Sequence, residues 1–387
     1  MKLHDGEILA ASGNVFRAGW MLAGFAAALL IGDMFLAVRG ASPRSVEFLF
    51  GVAGFSLAQI CWTVAQLREA RPDWRVFSAV AVPLALFVLV RLRPPVLSAS
   101  VMAAVCAYSA LTALSFAMAL ATRRAFYVCG IGLLLFSDLM IGFGLLRMPG
   151  CKVLIGPAYI VAELCLIVSF LWRGERRISV GRVSVRWWAI GLGVAGSVCF
   201  IAAMAYYPGG GYNPLMKMLS ALGRTEVRKV AYPPCHYLFM AGMALSAASV
   251  AGVWGKLLQK RQDVDTAYAG WRGIAMGWGG AANVAGLLAI MLVPESVNMF
   301  FHNFGCYLAT FGGAAILAAR FRKGADLAWT CWFVALVTVF AVCVYMESIP
   351  FCPYVTATQK LLILSFAAWV GWIAWRESAV ELGESGE

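Results

Sequence analysis

Histidine is scarce in this chain, and so are the spacings that hold metals. Only three His are present, and neither an HExxH pair nor a paired CxxC occurs, so a dedicated zinc site is not expected. No GxGxxG and no P-loop precedes a predicted helix, which leaves nucleotide chemistry unsupported and no cofactor expected. Charge is equally thin: Asp, Glu, Lys and Arg together make 13% of the residues, against about a quarter in soluble proteins.

Set against that poverty of charge are 62% hydrophobic residues. Even large soluble domains keep a mostly polar exterior, so no soluble core could hide so much apolar surface, and lipid is the expected solvent. Apolar runs long enough to cross a hydrocarbon core of about 30 Å fall near residues 15–38, 46–67, 75–92, 96–121, 125–146, 153–172, 187–207, 234–257, 271–293, 297–319, 328–346 and 355–375. They predict an all-α polytopic membrane protein of about twelve transmembrane helices. The first run, Gly19 to Val38, is too long for the apolar core of a signal peptide and contains Asp33, so it is read as retained.

The formal net charge is +12, but the basic residues are spread over short loops rather than gathered on one face, so no nucleic-acid partner is expected. Arg68, Arg71, Arg123, Arg124, Arg173, Arg176, Lys256, Lys260, Arg320 and Arg322 collect on one side of the predicted topology. By the positive-inside rule that side and both termini are cytoplasmic, with a bacterial inner membrane as the expected location. The eleven Cys are mainly within spans, where they serve as small buried residues. Cys235 and Cys352 fall near outer helix ends, so a disulfide between them is an option if that face is oxidising.

The longest charged stretch, RGERRISVGRVSVR from Arg173 to Arg186, divides the spans into two six-helix modules, residues 1–178 and 179–387. No convincing repeat relates them, which speaks against a symmetric transporter. In GGGYNPLMKMLSALGRTEVRK, after the seventh run, Leu215, Met218, Leu219 and Leu222 recur at helical spacing, with Lys217 and Arg224 elsewhere around the wheel. That pattern predicts an amphipathic segment lying in the outer interface over about 211–225.

Ionisable groups inside a membrane are costly, so each asks for a reason. Asp33, Asp138 and Glu163 lie in spans one, five and six, and at roughly 1.5 Å per residue all three fall in the outer half of the bilayer. Brought together out of water, such carboxylates hold one neutral group beside one ionised group, a proton donor next to an acceptor. That is the equipment of general acid–base hydrolysis. The plainer alternative is that each is a hydrogen-bonded packing residue joining helices. In the second half, Tyr212, Asn213, Ser220, His236, His302 with Asn303, and Gln359 with Lys360 also lie towards the outer side; interfacial His commonly snorkels or caps.

Three stretches of the first half resemble the YhhN family, whose characterised members are lysoplasmalogenases: LIGDMFLAV with FLFGVAGFSLAQICW, GIGLLLFSDLMIG, and AYIVAELCLIVSFLW. Gly32-Asp33, Gly54-Phe55, Ser137-Asp138 and Tyr159 stand where the family has a Gly-Asp helix end, a Gly-Phe helix, a Ser-Asp helix and a Tyr-containing closing helix. Gln59 and Trp62 replace a frequent His and Tyr, Glu163 replaces Gln or His, and two spans that usually precede the Gly-Asp helix are absent. YNPLMKMLSALG, VPESVNMFFHNFG and Gln359-Lys360 resemble a six-span membrane family of unknown function.

The first resemblance implies hydrolysis of the vinyl ether bond of a lysolipid, with Asp33, Asp138 and Glu163 catalytic. Gln59, Trp62 and Tyr159 would contact the substrate, and Tyr212, Asn213, Ser220, His302 and Gln359 are further candidates for contact. A membrane lipid or lysolipid is then the partner. A lipid-binding, sensing or transport protein without turnover is the rival expectation, and a proton-coupled transporter is a third.

Overall fold

The computed structural model describes residues 24–25, 27–32, 34–35, 43–67, 70–94, 96–149, 151–171, 185–209, 211–214, 217–263, 271–320, 325–347 and 354–381. By its internal contacts the chain forms two compact units, Met1–Ser179 and Val180–Glu387.

In the first unit helical residues at 24–25 and 27–32 (α1) are followed by α2 (Val46–Gln66), α3 (Trp74–Arg91), α4 (Ala99–Thr122), α5 (Ala125–Leu145) and α6 (Cys151–Leu171). Short polar residues start three of them. Ser45, Asp73 and Ser98 accept hydrogen bonds from the first-turn amides of Phe48, Arg75 and Val101, satisfying donors that have no partner within the helix. Helix α4 packs against α2, α3 and α5, and α5 packs along α6.

Glycine sets the approach of α1 to α2. A Cβ on Gly54 would stand 2.7 Å from the backbone nitrogen of Gly32, and a Cβ on Gly32 would meet the Phe55 ring at 2.8 Å. Only the missing side chains let the two backbones come so close, as small residues do at membrane helix contacts. Around this contact Phe25, Ala28, Trp62, Tyr127 and Leu166 form a buried core, and a 2.7 Å hydrogen bond between Thr63 and Ser115 ties α2 to α4.

The second unit comprises α7 (Val185–Ala205), a 3-10 turn (Leu219–Gly223), strands β1 (Glu226–Val227) and β2 (Val230–Ala231), then α8 (Pro234–Asp263), α9 (Trp271–Leu292), α10 (Met299–Arg320), α11 (Ala325–Glu347) and α12 (Tyr354–Glu381). Helix α8 packs on α7 and α9, α9 packs closely along α10, and α12 packs on α7 and α11. Asn283 stitches the interior: its amide donates to the Ala309 carbonyl at 2.6 Å and its oxygen accepts from Trp254 at 3.3 Å.

The predicted amphipathic helix over 211–225 is not what forms. Residues 211–214 are irregular, a 3-10 turn follows, and an antiparallel pair of two-residue strands leads into α8. Leu222 is fully buried and Ser220 nearly so. The apolar side chains there go inward against Phe239 and Cys235 rather than lying along a lipid surface, because the helix core offers them more burial than the interface does. Arg228 and Lys229 both take positive φ at the turn between the strands, the backbone a tight two-residue hairpin demands.

Among the described residues, eight helices are long and apolar enough to cross a membrane: α2 to α5, α7 to α9, and α12. Helices α6 and α11 carry shorter apolar stretches, Val153–Ser169 and Ala328–Phe340. Large apolar side chains point outward along the helices, with Leu30 of α1 70%, Val153 of α6 75% and Phe300 of α10 72% exposed. A surface of that kind is stable only against lipid, and the molecule is an integral, multi-pass, all-helical membrane protein.

Candidate functional site

Inside the first unit, α1, α2, α4, α5 and α6 enclose a small cavity whose wall is apolar apart from Gln59, Tyr108 and the indole of Trp62. Its free volume is about 10 Å³, about the room that one water requires. Gln59 reaches it because position 59 lies on the face of α2 that also carries Phe55, Ala58 and Trp62, spaced to fall on one side of a helix. Phe25 and Tyr127 hold the Trp62 ring at centroid distances of 5.4 and 5.5 Å.

Behind the wall sits a carboxylate. Tyr108 on α4 donates a 2.8 Å hydrogen bond to Oδ2 of Asp138 on α5, and Gln59 stands beside Tyr108 in the cavity wall. Gln59, Tyr108 and Asp138 thus form a polar line from cavity to carboxylate in an otherwise apolar interior. The carboxamide oxygen of Gln59 is buried and has no hydrogen-bond partner. An orphaned acceptor of that kind costs about 1–3 kcal/mol, and the residue that carries it lines a water-sized cavity.

The sequence singled out Asp138, Gln59 and Trp62, and the structure brings these to one place. Tyr108 was missed, although a lone phenol in a span of small residues, VMAAVCAYSALTALSFA, signals a buried hydroxyl in need of a partner. Glu163 is half-buried on α6, beside the inward-facing Tyr159, Ala162 and Leu166, and is not part of the cavity wall. Tyr159 packs edge-on against Phe55, ring centroids 6.0 Å apart. Asp33 lies outside the described residues; Gly32 just before it is the residue in close contact with α2.

In the second unit the candidate residues meet in a different structure, a fastening around the chain between α7 and α8. Ser220 donates to Glu295 at 2.9 Å, and Arg224 pairs with the other oxygen of that carboxylate at 3.1 Å. Gln359 accepts from the Leu219 amide at 3.2 Å, while Lys360 and the Tyr212 hydroxyl both donate to the Lys217 carbonyl, at 2.6 and 2.8 Å. Nδ1 of His236 pairs with the Gly223 carbonyl at 2.7 Å, and that of His302 with the Val293 carbonyl at 3.0 Å. Asn213 is exposed. Burial, helped by neighbouring Tyr207, pushes the Tyr212 phenol up to about 12.

The contacts of Gln359, Lys360, Tyr212, His236 and His302 satisfy backbone groups that a helical ladder would otherwise satisfy. Glu295, which the sequence did not single out, is the hub. Cys352 lies outside the described residues, and Cys235 is buried with a free thiol. Among the described residues no three His, Cys, Asp or Glu side chains are placed to hold a metal.

The first unit thus defines a class: a helical membrane module with a carboxylate and tyrosine pair behind a buried cavity. Residues 8–170 match the family model of the YhhN family. No family match covers the second half, so the resemblance drawn there from YNPLMKMLSALG finds no support. No curated protein and no solved structure matches the chain.

Proposed function

We propose that this protein is a membrane lipid hydrolase of the lysoplasmalogenase kind, cleaving the vinyl ether bond of a single-chain lipid to a fatty aldehyde and a glycerophospho-alcohol. The observation that carries the reading is the Tyr108–Asp138 hydrogen bond behind the Gln59 cavity, within the residues that match the YhhN family. Enol ether cleavage needs a proton delivered to carbon and water added to the resulting oxocarbenium ion. In this proposal Asp33 and Asp138 supply the acid and the base, Glu163 supports them from α6, and the cavity is where water meets the reacting carbon. The substrate chain enters sideways from lipid, displacing the apolar wall.

The proposal extends to the whole molecule: twelve spans in two six-helix modules, in a bacterial inner membrane, with both termini in the cytoplasm. Within the second unit, lipid head-group contacts from Tyr212, Asn213, Ser220, His302 and Gln359 belong to the same proposal.

The test uses the purified full chain with vinyl ether, ester and amide lysolipids, measuring aldehyde and head-group release. Turnover of the vinyl ether alone supports the reading, and it is overturned if replacing both Asp33 and Asp138 by Asn leaves aldehyde release unchanged. A second reading, lipid binding without turnover, draws on the small cavity, since about 10 Å³ holds a water and not a fatty chain. Binding of all three lipids with no product from any of them favours it.

A further inference from the structure

Resting on the hydrolase reading, we infer that the cavity is a water site and that Tyr108 is the catalytic relay through which that water reaches Asp138, which makes Asp138 the base of the reaction. Three observations converge. The free space is about 10 Å³, the size of one water. Gln59 belongs to its wall, and the Oε1 of that side chain is buried with no donor to accept from. Tyr108 also belongs to the wall, and its hydroxyl already points its proton at Asp138 Oδ2, 2.8 Å away.

A hydroxyl whose proton is committed to a carboxylate has its own oxygen lone pair to offer. It is an acceptor towards the cavity and a donor away from it. Asp138 does not itself line the cavity, so a proton leaving a water there reaches the carboxylate by way of the phenol. Gln59, on the same wall, receives one water proton in a hydrogen bond at its carboxamide oxygen. Water held between the two has one O–H on Gln59 Oε1, the other on the Tyr108 oxygen, and a lone pair free for attack.

The step starts from the oxocarbenium ion that protonation of the vinyl ether carbon leaves. The water oxygen forms a bond to the cationic carbon, its proton passes to the Tyr108 oxygen, and the Tyr108 proton passes to the Asp138 carboxylate. A neutral hemiacetal and a protonated Asp138 result. As the hemiacetal opens to aldehyde and alcohol, the Asp138 proton returns through Tyr108 to the leaving oxygen, and the hemiacetal hydroxyl proton restores the acid that was spent. No oxidant, metal or second substrate is needed.

A crystal structure of the full chain at a resolution that shows ordered waters, together with turnover of a vinyl ether lysolipid by the wild type, Tyr108→Phe and Gln59→Met, tests the inference. Expected are a water within hydrogen-bond distance of Gln59 Oε1 and Tyr108, and a fall in kcat of about a hundredfold or more for Tyr108→Phe with KM little changed. The solvent deuterium isotope effect on kcat should shrink in the same variant, a change that a packing role for Tyr108 would not produce. Gln59→Met should lose both the water and most of kcat. An empty cavity in the wild type, or a Tyr108→Phe enzyme of wild-type rate and isotope effect, overturns the inference while leaving the hydrolase reading standing. No turnover by the wild type overturns the hydrolase reading and with it the relay, whatever the density in the cavity.

Discussion

Tyr108 and Asp138 are 30 residues apart in the chain and 2.8 Å apart at their oxygens, and their hydrogen bond joins α4 to α5 through the interior of the first unit. Inside an apolar bundle such a bond is stronger than it would be in water, so each partner influences the state of the other. Removing the acceptor and keeping its shape have different consequences. Asp138→Ala leaves the Tyr108 hydroxyl buried without its partner and should lower stability by about 1–3 kcal/mol, whereas Asp138→Asn retains an acceptor oxygen and should cost less. Thermal unfolding of the two variants in the same detergent checks the order. Equal melting temperatures would mean that the bond contributes nothing to the fold.

Gly54 offers a second test, of packing alone. A Cβ there would stand 2.7 Å from the Gly32 nitrogen and 2.9 Å from the Ala28 carbonyl oxygen, and these are backbone atoms with no rotamer to swing aside. Gly54→Val should therefore force α1 from α2 at a cost of about 1–3 kcal/mol. Gly156→Ala, where a new Cβ meets nothing within 4 Å, is the matched control. Comparable melting temperatures for both would show that the close approach is not a constraint.

Glu295 holds Ser220 with one oxygen and Arg224 with the other. The Arg224 side chain is 45% exposed, and ion pairs of that kind contribute little. The Ser220 bond is more sheltered and carries most of the effect. Glu295→Ala should free the chain between α7 and α8, read as faster trypsin cleavage after Arg224 with the helical signal unchanged. Glu295→Gln, which still accepts from Ser220, should behave more like the wild type. Identical cleavage rates in all three proteins would rule out the fastening.

Tyr212 predicts an alkaline limit. Its folded value is raised from the ordinary 10.0 to about 12, chiefly by burial. A group whose folded pKa is raised stabilises the fold fully below its unfolded pKa and progressively less as pH climbs through the folded one. The unfolding midpoint should therefore hold steady from neutrality to about 10 and decline between about 10 and 12. In Tyr212→Phe, which also lacks the hydrogen bond to Lys217, that part of the decline should vanish. A Phe variant with the same alkaline profile as the wild type would assign the loss to other groups.

The membrane character and the helices were legible in the sequence, because a hydrophobic fraction of 62% and runs of about twenty apolar residues have only one stable outcome in lipid. Each expected run from residue 46 onward coincides with a helix, its ends shifted by a few residues. Asp138, Gln59 and Trp62 were legible too, as polar or bulky groups in places where lipid tolerates them only with a purpose.

What the sequence left open was decided by packing in three dimensions. The segment after α7 has amphipathic periodicity, yet Leu222 and Val227 are buried against α8 while Gln359 and Lys360 bind its backbone and Glu295 its Ser220 and Arg224 side chains; periodicity records which residues are apolar and not which surface receives them. Tyr108 gained its partner only when α4 and α5 came together, and Glu295 its two only when the α9–α10 connection met the 3-10 turn. Local sequence determined that these segments are helical and belong in lipid, since that follows from burial and hydrogen-bond needs residue by residue. Which oxygen faces which hydroxyl depends on the rotation and depth of each helix against its neighbours, and the close approach at Gly32 and Gly54 is one of the contacts that set them.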